Sequence, residues 1–255
     1  MNAPILLFDR HFLFFLAARG HMSRRFTMAP RRAAIKDMIE SLGVPHTEVG
    51  AIRVNHQEVD FSFVPTTTEQ IVIKAIPTPF DITRKTLLRP QPFDQVKFVA
   101  DVNVGRLARL LLSLGFDTVY SNGFKDSEVA KIATREQRIV LTRDTALLKR
   151  KCIVFARRIR GEDPYLQLKE VLGFFGLARG KFDFLSRCTT CNCRLQPIEK
   201  QTILHRLEPK TKRFYTRFSI CPNCCRIFWK GSHHGAMKER LRALGIPLDA
   251  LEERP

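Results

Sequence analysis

Three aspartates carry the most suggestive chemistry in this chain. Asp101 closes the apolar run Phe98-Val99-Ala100, and Asp144 follows Leu141-Thr142-Arg143 at the end of a second run. Asp126 lies between them, with Glu128 two residues on. Short apolar runs read as buried strands, and open α/β sheets bind ligands beyond the carboxyl ends of their strands. Carboxylates gathered at such an edge repel and raise one another's pKa. Mg²⁺ or Mn²⁺ relieves that repulsion, because hard cations take oxygen ligands. Taken singly, Asp126 and Asp144 have ordinary explanations as helix N-caps. Taken together at one sheet edge, they point to cation-assisted chemistry on an anion.

A second constellation is built from thiols. Cys188-Thr189-Thr190-Cys191 and Cys221-Pro222-Asn223-Cys224 are two Cys-x-x-Cys knuckles separated by a long basic stretch. Cys188, Cys191, Cys221 and Cys224 would close a tetrahedron around zinc, leaving no open position, so such a zinc is structural. Cys193 and Cys225 stand close enough to replace a ligand, while Cys152 reads as a packed core residue. Seven cysteines, six of them in the last third, do not suit a secreted disulfide scaffold. They suit zinc in a reducing compartment, with the cytoplasm as the expected location.

Charge suggests what the anion is. The chain carries 43 Lys and Arg against 25 Asp and Glu, a net +18. Residues 1–80 contribute only +2, whereas 81–185 and 186–255 contribute +8 each. A basic footprint confined to the last two thirds suits nucleic acid. Arg106 and Arg109 share a helical turn, and with Lys149, Arg150 and Lys151 would guide a phosphate backbone without reading sequence. Asn103 and Arg143 are candidates for phosphate contact. Phe228-Trp229-Lys230-Gly231-Ser232-His233-His234 offers rings to stack on bases and Lys230 and His233 to touch phosphate; the same rings could equally cover a small core. The apolar N-terminus is broken by Asp9, Arg10 and His11, so neither a membrane span nor a signal peptide is expected.

The elements that must position these residues fall into three blocks. The first opens with a strand at Ile5–Phe8 and continues with a helix at Ala34–Leu42 stopped by Gly43. Strands at 51–54 and 59–63 flank a turn at Asn55-His56, and a last strand lies at 71–73. This is a small α+β domain of ubiquitin-like type. Pro77, Pro79, Pro90 and Pro92 then mark a linker. In the second block, strands at 96–100, 118–120, 138–142 and 153–155 alternate with helices at 107–114, 127–134, 145–149 and 164–174. That alternation predicts an α/β fold with a parallel sheet. The third block holds the knuckles and ends in a short helix at 237–244.

Three segments resemble one family. Lys97-Phe98-Val99-Ala100-Asp101-Val102-Asn103-Val104-Gly105-Arg106-Leu107-Ala108-Arg109, then Leu114-Gly115-Phe116-Asp117-Thr118, then Arg138-Ile139-Val140-Leu141-Thr142-Arg143-Asp144 are similar to the Mut-seven C-terminal ribonuclease family, whose domain is PIN-like. The knuckles and Trp229-Lys230-Gly231-Ser232-His233 resemble that family's zinc ribbon. Leu42-Gly43-Val44-Pro45-His46-Thr47-Glu48-Val49 resembles a ubiquitin-like domain often fused ahead of it. The resemblance implies a ubiquitin-like β-grasp domain at 1–80, a linker at 81–94, a PIN-like nuclease domain at 95–183 and a zinc ribbon with a C-terminal helix at 184–255. It implies a metal-dependent ribonuclease with Asp101, Asp126 and Asp144 as catalytic acids, catalytic Mg or Mn, structural zinc and RNA as substrate. Protein or ribosome contact would fall to the ubiquitin-like domain. PIN domains ordinarily carry another acid in the part corresponding to 105–120, where this chain has only Asp117. That leaves Glu128 and Asp163 as substitutes, and a non-catalytic RNA- or ribosome-binding protein as the alternative.

Overall fold

The computed structural model describes residues 3–28, 32–66, 69–179 and 182–246. These form two compact units, one of residues 1–95 with 144–158 and one of 96–143 with 159–255. Among the described residues, no helix is long and apolar enough to cross a membrane.

The first unit is a mixed sheet with a helix on it. Strands β1 (Ile5–Phe8), β2 (Arg25–Thr27), β3 (Val49–Val54), β4 (Gln57–Val59) and β5 (Gln70–Ala75) lie in the order β2-β1-β5-β3-β4. The central β1–β5 pair is parallel and the other pairs are antiparallel, which is the β-grasp arrangement. Helix α1 (Leu13–Ala17) follows β1, and α2 (Ile35–Ser41) buries Ile35, Met38 and Ile39 in one core with Leu6, Ile52, Ile71 and Ile73. Asn55 and His56 both take positive φ, which fits the tight turn joining β3 to β4. The hairpin thus turns where expected, but β4 pairs from Gln57 rather than from Val59. A two-residue turn lets pairing begin at once, so Val54 faces Gln57.

In the second unit, β6 (Phe98–Ala100), β7 (Thr118–Tyr120) and β8 (Ile139–Thr142) lie in the order β7-β6-β8, all parallel. Every residue of β6 and β8 is buried, as strands covered on both faces require. Between them run α3 (Gly105–Ser113) and α4 (Asp126–Glu136). Helix α3 buries Leu107, Ala108, Leu111 and Leu112 and ends at Gly115, whose φ of 92° admits the reversal into β7.

The segment 144–158 carries α5 (Thr145–Leu148) and β9 (Ala156–Arg158), and it groups with the first unit. The reason lies in the motif at 46–48. Thr47 Oγ1 donates to the Leu148 carbonyl at 3.3 Å, and His46 Nε2 lies 2.9 Å from the Ile153 carbonyl. Glu48 accepts from the Arg158 N–H and from Arg157 Nη1, each at 2.8 Å. Phe155 packs 4.4 Å from Phe93 between ring centroids. These contacts place the strand three residues later than 153–155: Ile153 and Phe155 are buried in the core while Val154 is exposed, and the strand begins only after them.

The remainder returns to the second unit. Helix α6 (Pro164–Phe174) is capped by Asp163, which accepts from Tyr165 and Leu166 N–H. Beyond it, β10 (Gln196–Ile198), α7 (Lys200–Ile203), α8 (Pro209–Phe214), β11 (Phe218–Ile220) and β12 (Ile227–Phe228) form a three-stranded antiparallel ribbon with short helices. Ile203, Leu207 and Phe218 make its small core. Helix α9 (Ser232–Ala243) starts five residues earlier than the apolar pattern suggested, because its first turn is polar.

Candidate active site and metal centre

Asp101 sits at the carboxyl end of β6, where Ala100 pairs with Leu141 of β8. It is buried, and it is surrounded by donors. Its Oδ1 accepts from the Val102 N–H at 2.6 Å, and its Oδ2 accepts from Asn103 Nδ2 and Thr142 Oγ1, both at 2.6 Å. Asn103 completes the link by accepting from the Arg143 N–H at 3.0 Å. The network ties the ends of two adjacent strands together and fixes the carboxylate's orientation. Buried polar groups demand such partners. Sequence alone does not single out Thr142; the β6–β8 register is what brings its hydroxyl to Asp101.

Asp126 is the first residue of α4, not its cap. Lys125 holds the cap position, and its N–H donates to Glu128 Oε2 at 2.9 Å. The Asp126 carboxylate makes no hydrogen bond or ion pair among the described residues. Asp144 does cap a helix: its Oδ1 accepts from the Ala146 N–H at 2.8 Å at the start of α5. Among the described residues, the side chains that gather tightly enough to hold one ion are cysteines; the three aspartates form no such group.

The other acids are engaged elsewhere. Asp117 lies at the amino end of β7, the edge opposite Asp101, so it does not stand in for a fourth acid. It bonds Arg138 Nη1 at 2.5 Å and Asn192 Nδ2 at 2.7 Å, with Arg187 at 3.4 Å. Burial would raise this carboxyl, but those hydrogen bonds and the two guanidinium charges outweigh it and hold it below the ordinary range. Asp163 caps α6 and pairs with Arg240 at 2.7 Å. Glu128 serves the α4 cap.

Of the cationic candidates, Arg106 and Arg109 are exposed on α3. Arg143 pairs with Glu162 at 3.3 Å. Lys149 is directed elsewhere: its Nζ donates to the Glu40 carbonyl at 2.6 Å, and burial lowers its pKa. Asn103 is spent on Asp101 and Arg143. Lys230 is exposed, and the side chain of His233 lies outside the described residues.

The four cysteine Sγ atoms of 188, 191, 221 and 224 lie within 4.8 Å of one another. Cys188 and Cys224 are 3.5 Å apart, and Cys191 and Cys221 3.3 Å. Thiolates 2.3 Å from a tetrahedral zinc stand about 3.8 Å apart, so this set fits that ion. Burial pushes the Cys188 thiol up to about 12. Burial also acts to raise Cys191, but hydrogen bonds led by Asn223 and Cys221 bring it down to about 6. Both knuckles share one backbone feature: the residue after each second cysteine, Asn192 (φ 63°) and Cys225 (φ 55°), is left-handed. Cys225 is therefore a turn residue, and both it and Cys193 lie outside the ligand group.

The Mut7-C RNAse domain model matches residues 96–241, more than half of the chain. The chain belongs to this family. Residues 7–81 of this Mut7-C protein also match the Mut7-C ubiquitin model. The human protein named exonuclease mut-7 homolog is 31% identical over 152 residues, covering 56% of this chain and 17% of that relative. The Mut7-C chain thus spans a minor part of that relative's length. No solved structure matches it.

Proposed function

We propose that the protein is a metal-dependent ribonuclease using Asp101, Asp126 and Asp144. Family membership supports nuclease chemistry, as does the name of the human relative. The observation that carries the site is Asp101, a carboxylate held rigidly at the carboxyl edge of β6. Among the described residues its Oδ1 accepts a single hydrogen bond, from Val102, so lone-pair capacity remains for a cation. Asp126 keeps a carboxylate without a protein partner among the described residues.

These donors suit Mg²⁺ or Mn²⁺, and Mg²⁺ is ordinarily held by one or two carboxylates together with substrate phosphates and water. When bound, such an ion supplies charge to the phosphate and acidifies a water. Asp101 and Asp144 would hold it, and Asp126 would orient its water. Asn103 and Thr142 keep Asp101 in one rotamer. Arg106 and Arg109 draw the RNA backbone in by charge alone. The four cysteines would hold a structural zinc that shapes the basic ribbon. The ubiquitin-like domain is the candidate for protein or ribosome contact.

Asp144→Asn tests this. Asparagine caps a helix as well as aspartate does, so α5 survives while the charge is lost. Mg²⁺- or Mn²⁺-dependent cleavage of single-stranded RNA should fall on the order of a thousandfold, from several kcal/mol of lost charge stabilisation. Cleavage by Asp144→Asn at the wild-type rate would overturn the acidic site. The non-catalytic alternative draws on the other oxygen: Asp101 Oδ2 is engaged by Asn103 and Thr142 in joining the strand ends. It expects RNA binding without turnover in any metal.

A further inference from the structure

We propose that a cavity beside the ribbon takes an unstacked base of single-stranded RNA. This rests on the RNA reading above and names where the strand is gripped. The cavity has a volume of about 610 Å³ and lies between α8, β12 and the start of α9. Its walls are mostly apolar and aromatic, including Phe214, Tyr215, Phe228 and Trp229. A pocket of this size and lining suits a small planar ligand.

Two of these rings are unusually open. Phe214 is 67% exposed and Trp229 37%. The ribbon core is Ile203, Leu207 and Phe218, with Ile198, Tyr215 and Ile227 packed against it, and Phe214 lies outside it. Trp229 is braced from behind: its ring lies 6.2 Å from Phe218 and 6.3 Å from Tyr215. Gly231 lies flush against it, since a Cβ there would stand 2.9 Å from Trp229 Nε1. The indole is therefore held in place with one part facing the cavity. Exposed rings braced in this way form a stacking platform.

Charge identifies the occupant. Residues 209–231 contain Lys210, Lys212, Arg213, Arg217, Arg226 and Lys230, and no Asp or Glu. Lys210 lines the cavity, and the Arg213 guanidinium lies over the Phe214 ring, 5.4 Å from its centroid. A π-faced ligand attached to a phosphate backbone satisfies both the rings and the cations. Bases in a duplex are already stacked and paired, so an unpaired strand is the form that fits.

The chain has one tryptophan, so its emission reports this cavity alone. The full chain, without added Mg²⁺ or Mn²⁺, is titrated with oligouridylate, oligoadenylate, an RNA duplex and inorganic polyphosphate. Single strands should quench Trp229, while duplex and polyphosphate should not. Phe214→Ala, at an exposed position, should keep the fold and loosen single-strand binding on the order of tenfold. Lys210→Ala should loosen it less and reduce its salt dependence. Equal response to polyphosphate, RNA binding by anisotropy without quenching, or unchanged affinity in Phe214→Ala would overturn the proposal. Quenching by an apolar peptide but not by RNA would give the cavity to a protein partner and equally overturn it. Repeating the titration with Asp144→Asn separates the two readings: retained quenching with lost cleavage supports both, and quenching without any wild-type cleavage leaves the cavity standing while the nuclease falls.

Discussion

Asn192 Nδ2 donates to Asp117 Oδ1 at 2.7 Å, and the Asn192 side-chain oxygen accepts from the Thr118 N–H at 3.2 Å. One side chain from the first cysteine knuckle thus clasps the start of β7. Arg187 adds a bond to the Gly115 carbonyl at 3.1 Å. The left-handed turn that shapes the knuckle therefore also fastens it to the sheet's amino edge.

Acid should loosen this clasp. Asp117 titrates below its ordinary value of 3.8 in the folded chain. A depressed carboxyl contributes stability that is present above that value and lost as pH falls through the folded one. Thermal midpoints of wild type should drop more steeply below about pH 4 than those of Asp117→Asn. Parallel curves would show that the pair contributes nothing.

Zinc should be stoichiometric and bound by four of the seven cysteines. Metal analysis should find the ion lost in Cys188→Ser and Cys221→Ser and kept in Cys193→Ser. Cys225→Asn should also keep it, since asparagine tolerates the left-handed φ that residue adopts. Strong chelators should make the ribbon protease-sensitive while the sheet stays folded.

Thr142→Val keeps the shape of the strand end but removes one donor from the Asp101 carboxylate. A hydrogen bond to a charged group is worth about 2 kcal/mol. Urea denaturation should show a loss of that order, and Thr142→Ser should recover most of it.

Glu48→Gln should release the segment at 157–158. The Glu48 carboxylate is buried with Arg157 and the Arg158 N–H. A hydrogen bond to a charged group is worth about 2 kcal/mol, and Glu48→Gln weakens two of them at this buried carboxylate. Hydrogen exchange at Ala156–Arg158 should accelerate well ahead of exchange in β6 and β8.

Much of the fold was legible from periodicity. The limits of β1, β7 and α6 fall where the pattern of apolar residues and turn signals puts them. Strand β2 was not legible, because Arg25-Phe26-Thr27 is short, half exposed and pairs as an edge. The ligand cysteines were readable from spacing, whereas exclusion of Cys225 needed its backbone angle. Asp101 could be placed on a strand end from sequence. Its three donors could not, because two of them depend on side-chain directions and the β6–β8 register. Asp117 was visible as an acid, but its partners are Arg138, Arg187 and Asn192, and only folding gathers residues so distant along the chain.

Phe155 lies against Phe93, with Phe80 5.9 Å away, and Arg157 is matched by Glu48. Shortening this polypeptide to its last 160 or so amino acids would strip a greasy ring and a paired cation of their cover. Such a fragment should clump rather than work, so anyone trimming the molecule for assay should keep its front end attached.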